Sequence, residues 1–139
     1  MDALVETLRA QHRELEALCK TLTTSLHHDE LAPVQSALQA FGAALLTHLA
    51  LEDDTLYPAL LGAVERRSPE ARTIRTFADN MRRVSEALKA FLAQPVDNVA
   101  QLHALRKEWP EAQHLLDSRM QSEERLLYPM YEERVAAKG

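Results

Sequence analysis

Two stretches of the chain repeat one another: HLALEDDTLYPAL, residues 48–60, and RMQSEERLLYPMY, residues 119–131. Counted from the first residue of each, Glu falls at +4, Leu at +8, Tyr at +9 and Pro at +10, and the copies lie 71 residues apart. A spacing of four puts His48 and Glu52 on the same helix face, one turn apart, and does the same for Arg119 and Glu123. The flanking sequence continues the pattern. Four segments carry apolar residues at alternating steps of three and four, the period of an amphipathic helix. The first runs through Val5, Leu8, His12, Leu15, Cys19, Leu22 and Leu26, and the second through Val34, Leu38, Phe41, Leu45, His48, Glu52 and Thr55. The third runs through Ile74, Phe77, Met81, Val84, Leu88 and Phe91. The fourth runs through Leu102, Leu105, Trp109, Ala112, Leu116, Arg119, Glu123, Leu126 and Met130. The first and third align at an offset of 69, which sets Val5 against Ile74, Leu8 against Phe77, Leu15 against Val84 and His12 against Met81. The chain therefore reads as two related helix hairpins.

Helix boundaries agree with this reading. Ser68-Pro69-Glu70 supplies an N-cap, a first-turn proline and a first-turn acid. Asp97 is placed to cap the fourth helix. Pro110 falls inside that helix, where the missing N–H and the ring's crowding of the preceding turn predict a kink or a split. Short connections and four apolar stripes predict an all-α fold: an antiparallel up-down-up-down four-helix bundle in one domain, residues 1–139.

Composition narrows the possibilities. Three glycines in 139 residues are too few for the turns of an all-β fold. A net charge of −5 disfavours nucleic acid as a partner. The single cysteine, Cys19, excludes an internal disulfide framework and suits a reducing compartment. No apolar run approaches the roughly 20 residues of a membrane span, and the acidic N-terminus is unlike a signal peptide. The expected setting is cytoplasmic, with no membrane partner.

Polar residues interrupt three of the four stripes: His12, His48 with Glu52, and Arg119 with Glu123. Burying such groups unpaired costs several kcal/mol each, so they must satisfy one another, hold a metal or reach solvent. Two histidines and two carboxylates suit one iron or zinc ion. A metal-free layer is the other reading. Glu52, Glu123 and Arg119 leave one net negative charge, which a proton shared by His12 and His48 balances. A divalent ion with neutral histidines leaves one positive charge, which Asp53 or Glu124 is near enough to offset. Charge counting leaves both readings open.

With these residues in view, the chain resembles the hemerythrin-like, or HHE cation-binding, domains over about residues 10–130. The resemblance rests on His12, on His48-x-x-x-Glu52 running into Leu56-Tyr57-Pro58, and on the second copy ending in Leu127-Tyr128-Pro129. It implies a four-helix bundle with two non-haem irons, each held by two histidines and bridged to the other by two carboxylates. His12 and His48 match the ligands of one iron, and Glu52 and Glu123 match the bridging carboxylates. The other iron's histidines are absent: Arg119 stands at the fourth-helix position, and Met81 or Arg82 at the third. A guanidinium can fork onto carboxylates and so stand in for the missing cation. The resemblance thus implies a degraded, mononuclear site: metal ligands His12, His48, Glu52 and Glu123, one iron ion or none, with zinc as the alternative. It further implies a role in sensing iron, oxygen or redox state. The alternative function is a metal-free interaction or regulatory module that retains only the fold.

The remaining features carry less. His103 and His114 lie off the fourth stripe, and His27-His28 closes the first helix. Cys19 is two turns, roughly 10 Å, from His12, too far to share an ion. Tyr57 and Tyr128 are expected to cap the core with their hydroxyls at the surface. Six arginines within residues 65–83 form a solvated face or a docking patch for an acidic protein partner. No nucleophile–base pair, phosphate loop or CxxC motif points to a named reaction.

Overall fold

The computed structural model describes residues 3–136, so Met1, Asp2 and residues 137–139 of the expected domain lie outside it. The elements are α1 (Ala3–Leu26), α2 (Leu31–Leu51), α3 (Tyr57–Gly62), α4 (Pro69–Leu92), α5 (Val99–Ser122) and α6 (Tyr128–Arg134). Wide turns at Glu52–Leu56 and Glu123–Leu127 join α2 to α3 and α5 to α6 without a break. The elements therefore form four antiparallel rods, as the stripes predict. α1 pairs with α2, α4 pairs with α5, and the two hairpins close on each other.

Local chemistry sets the ends. Ser68 Oγ accepts from the N–H of Ala71 at 3.1 Å and caps α4. The cap of α5 is Asn98 rather than Asp97: Asn98 Oδ1 accepts from Gln101 N–H at 2.9 Å, and Gln101 Oε1 accepts from Asp97 N–H at 2.6 Å. The cap thus falls one residue later than expected, and Gln101 reaches back past it to the N–H of the preceding residue. Of the kink or split expected at Pro110, the split is not found: α5 runs through that residue from Val99 to Ser122. Pro110 sits on the exposed face, where the carbonyl left without its partner can reach water.

The core comes in two parts. Leu15, Phe41, Leu45, Phe91, Trp109 and Leu116 belong to the larger apolar cluster. Val5, Leu8, Leu56, Ile74, Leu127 and Tyr128 belong to the smaller. His12, His48, Glu52, Ser85, Arg119 and Glu123 lie between them, all buried. By length and composition alone the rod Leu31–Gly62 is apolar enough to cross a membrane. Here its stripe faces the other rods and carries buried His48 and Glu52.

Candidate metal centre

The wide turns decide which residues reach the polar layer. Tyr57 N–H bonds to Glu52 O and Tyr128 N–H to Glu123 O, each spanning five residues instead of four. Such a turn holds one extra residue, so the next inward position arrives one residue late. Thr55 is exposed and Leu126 is 55% exposed, where the unbroken period placed both inside. Leu56 and Leu127 are buried in their stead. The same slip brings Tyr57 and Tyr128 inward, so their hydroxyls are not at the surface as expected. π-type turns of this kind recur at functional sites.

Within the layer, one oxygen or nitrogen from each of His12, His48, Glu52 and Glu123 lies within 4.8 Å of the other three. His12 Nε2 is 3.1 Å from His48 Nε2 and 3.0 Å from Glu123 Oε1. His48 Nε2 is 3.4 Å from Glu52 Oε1 and 3.6 Å from Glu123 Oε1. Donors about 2.1 Å from a common ion stand roughly 3.0–3.4 Å apart; three of these separations fall in that range and the fourth is slightly longer, an arrangement that could hold one ion.

The outer nitrogens orient both rings. His12 Nδ1 lies 3.2 Å from Glu124 Oε1 and His48 Nδ1 lies 2.7 Å from Gln11 Oε1. Carboxylate and amide oxygens accept, so each Nδ1 donates its proton outward, and the Nε2 lone pairs are left to face inward. Two lone pairs 3.1 Å apart repel unless a proton or a cation lies between them. Without metal, protons supply that charge. Burial pulls His48 down, but hydrogen bonds to Glu123 and Glu52 outweigh it and carry the imidazole up to about 9. Burial and the Glu123 charge push Glu52 up to about 7. Burial opposes ionisation of Glu123 too, but hydrogen bonds from Glu52, His12 and His48 and the Arg119 charge hold it well below the usual carboxylate range.

Arg119 occupies the other side of the layer. Its Nη2 donates to Glu52 Oε1 at 3.0 Å, and its Nε lies 3.5 Å from Glu123 Oε2. Nη1 donates to Ser85 Oγ at 2.8 Å and to the Met81 carbonyl at 3.0 Å. Met81 is buried and the Arg82 side chain is 73% exposed, so Met81 is the third-helix residue of the layer.

Tyr128 is the member that the sequence reading missed. Its hydroxyl donates to Glu52 Oε2 at 3.1 Å and lies 3.0 Å from His12 Nε2. Gln11 and Ser85 were also unforeseen, and only the position of Gln11 next to His12 hinted at either; Glu124 was expected near the layer, and it lies against His12 Nδ1. Asp53, the other acid expected to offset excess charge, is exposed. His27, His28, His103 and His114 are exposed, and Cys19 is buried away from the layer. The six arginines of 65–83 are all exposed.

Among known families, the hemerythrin HHE cation-binding domain matches residues 3–131, nearly the whole chain. No curated protein and no solved structure matches it.

Proposed function

The chain belongs to the hemerythrin HHE cation-binding family, and from that premise we propose that it holds a single metal ion, iron, between His12, His48, Glu52 and Glu123. One observation carries the reading: both imidazoles send Nδ1–H outward to oxygen acceptors and set bare Nε2 atoms 3.1 Å apart beside two buried carboxylates. Four electron-rich atoms directed at one point need positive charge among them, and a single metal ion supplies it to all four at once. Zinc would suit the same donors, so the choice of iron rests on the family.

The proposed role is in sensing or responding to iron, oxygen or redox state. Bound iron supplies a one-electron redox centre. The protein's own groups set what surrounds it. The apolar clusters above and below the layer keep water out. Gln11 and Glu124 fix the tautomers. Arg119 neutralises the carboxylates on the side where the family places a second iron, so that oxygens which would bridge two ions face a guanidinium on one side.

Metal analysis of protein purified without chelator or added metal tests this reading. One iron per chain is expected, falling to none in Glu123→Gln and His48→Ala. Two irons would refute the guanidinium assignment. A metal-free wild type that does not take up ferrous ion anaerobically would leave the module reading, which the Arg119–Glu52 pair favours.

A further inference from the structure

The repeat places two tyrosines at equivalent positions, directly after the two wide turns, and the layer treats them differently. The Tyr57 hydroxyl is buried without a hydrogen-bond partner among the described residues. The Tyr128 hydroxyl oxygen lies 3.0 Å from His12 Nε2, 3.1 Å from Glu52 Oε2 and 3.5 Å from Glu123 Oε1. Those separations fall within the range of 3.0–3.6 Å found among the four donors themselves. The repeat explains the contrast. Tyr128 meets His12, whereas the residue that the repeat sets opposite Tyr57 is Met81, which offers no nitrogen.

Proton counting makes the Tyr128 position informative. His12 Nδ1 carries that ring's proton outward, so Nε2 accepts only, and carboxylate oxygens accept as well. The phenol brings one proton to three acceptors. Two of its three contacts therefore oppose lone pairs, and a cation in their midst turns each opposition into an attraction. Burial and the Glu123 and Glu52 charges push the Tyr128 phenol well up, so a cation among those carboxylates is what would let the ring carry negative charge. The ring stacks on His12 with centroids 5.4 Å apart, and the Arg9 guanidinium carbon lies 5.9 Å from the ring centroid.

From this geometry we propose that the Tyr128 hydroxyl oxygen is a fifth donor to the ion, binding ferric iron as a phenolate. The O–H bond breaks, the oxygen–iron bond forms, and the proton leaves to solvent, with no change in the oxidation state of the metal. The inference rests on the single-ion reading above, and the readout separates the two. A phenolate on ferric iron gives a visible ligand-to-metal charge-transfer band whose resonance Raman spectrum carries tyrosine ring modes.

The experiment loads the full chain with one ferrous ion anaerobically, oxidises it with ferricyanide and records both spectra. The band is expected in the wild type and in Tyr57→Phe and Tyr131→Phe. It is expected to vanish in Tyr128→Phe while that variant still binds one iron. A fully loaded wild type without the band, or a band that survives in Tyr128→Phe, overturns the fifth donor and leaves the four-ligand site standing. A wild type that takes up no iron overturns both. Should Tyr128→Phe fail to fold, ring-deuterated tyrosine in the wild type decides: Raman modes that shift on deuteration and persist in Tyr57→Phe and Tyr131→Phe assign Tyr128, and modes that do not shift refute it.

Discussion

Arg119 Nη2 lies 3.0 Å from Glu52 Oε1, and both side chains are closed to solvent. The pair spans the bundle from α5 to the start of the wide turn after α2, and two further bonds, to Ser85 and the Met81 carbonyl, tie it to α4. One side chain thus links three of the four rods. Arg119→Ala removes the partner of two buried carboxylates and strands their charge, at a cost of about 3 kcal/mol. Urea denaturation of chelator-treated protein should show this as a lower midpoint. Arg119→Lys should recover only part of the loss, because an ammonium cannot reproduce the fork between Glu52 and α4. An unchanged midpoint in Arg119→Ala would mean that the pair contributes no net stability.

Gln11 acts on the layer through His48. It accepts the Nδ1 proton at 2.7 Å and so keeps Nε2 free for a metal. Gln11→Leu leaves the donors in place but releases the ring to change tautomer and to turn. Removing such an outer partner typically weakens metal affinity 10- to 100-fold. Competition against a chromophoric chelator should measure that loss with the stoichiometry still at one. Wild-type affinity in Gln11→Leu would show that packing alone holds the imidazole.

Cys19 gives a test of the core that is independent of metal. Burial, and then the charges of Asp117 and Glu16, push its thiol up to about 12. A raised value keeps the thiol protonated, and the thiolate is the reactive form. At pH 8 an unfolded chain, with an ordinary thiol near 8.5, is appreciably ionised, whereas folded Cys19 is not. Iodoacetamide should therefore label Cys19 slowly in buffer and quickly in urea. Equal rates in both would place the thiol at the surface and break the first stripe.

The first stripe was fully legible. All seven of its residues, Val5 through Leu26, are the buried residues of α1. A regular helix with one buried face obeys a fixed period, and nothing in α1 departs from it. The second and fourth stripes could be read as far as Glu52 and Glu123 and then slipped by one residue. The slip has no composition signal of its own, because a five-residue turn uses the same residue types as a four-residue turn. Leu-Tyr-Pro marked the repeat but did not reveal that the tyrosine turns inward. The five central members of the layer were legible because charge on an apolar stripe is conspicuous. Gln11, Ser85 and Tyr128 were not, since an exposed-looking glutamine, a serine and an aromatic residue each fit an ordinary helix.

The contacts of Met81 and Arg119 make the lost half of the layer testable. Met81 is buried and gives only its backbone carbonyl to the layer, through Arg119. Met81→His would place an imidazole on the third rod at the height of the carboxylates. Arg119→His would supply the fourth-rod imidazole and remove a fixed positive charge. At ~5 Å and an effective dielectric near 20, two like unit charges repel by ~3 kcal/mol, and a divalent ion doubles that. Arg119→His alone should ease this repulsion yet leave one ligand too few. The double variant should bind two irons per chain after anaerobic reconstitution and develop oxo-bridged charge-transfer absorption on oxidation. Arg82→His in place of Met81→His is the control for register. Its side chain points to solvent, so it should leave the count at one. Should the Met81 double variant also stop at one iron, with its fold intact, the guanidinium would not be what keeps the second ion out.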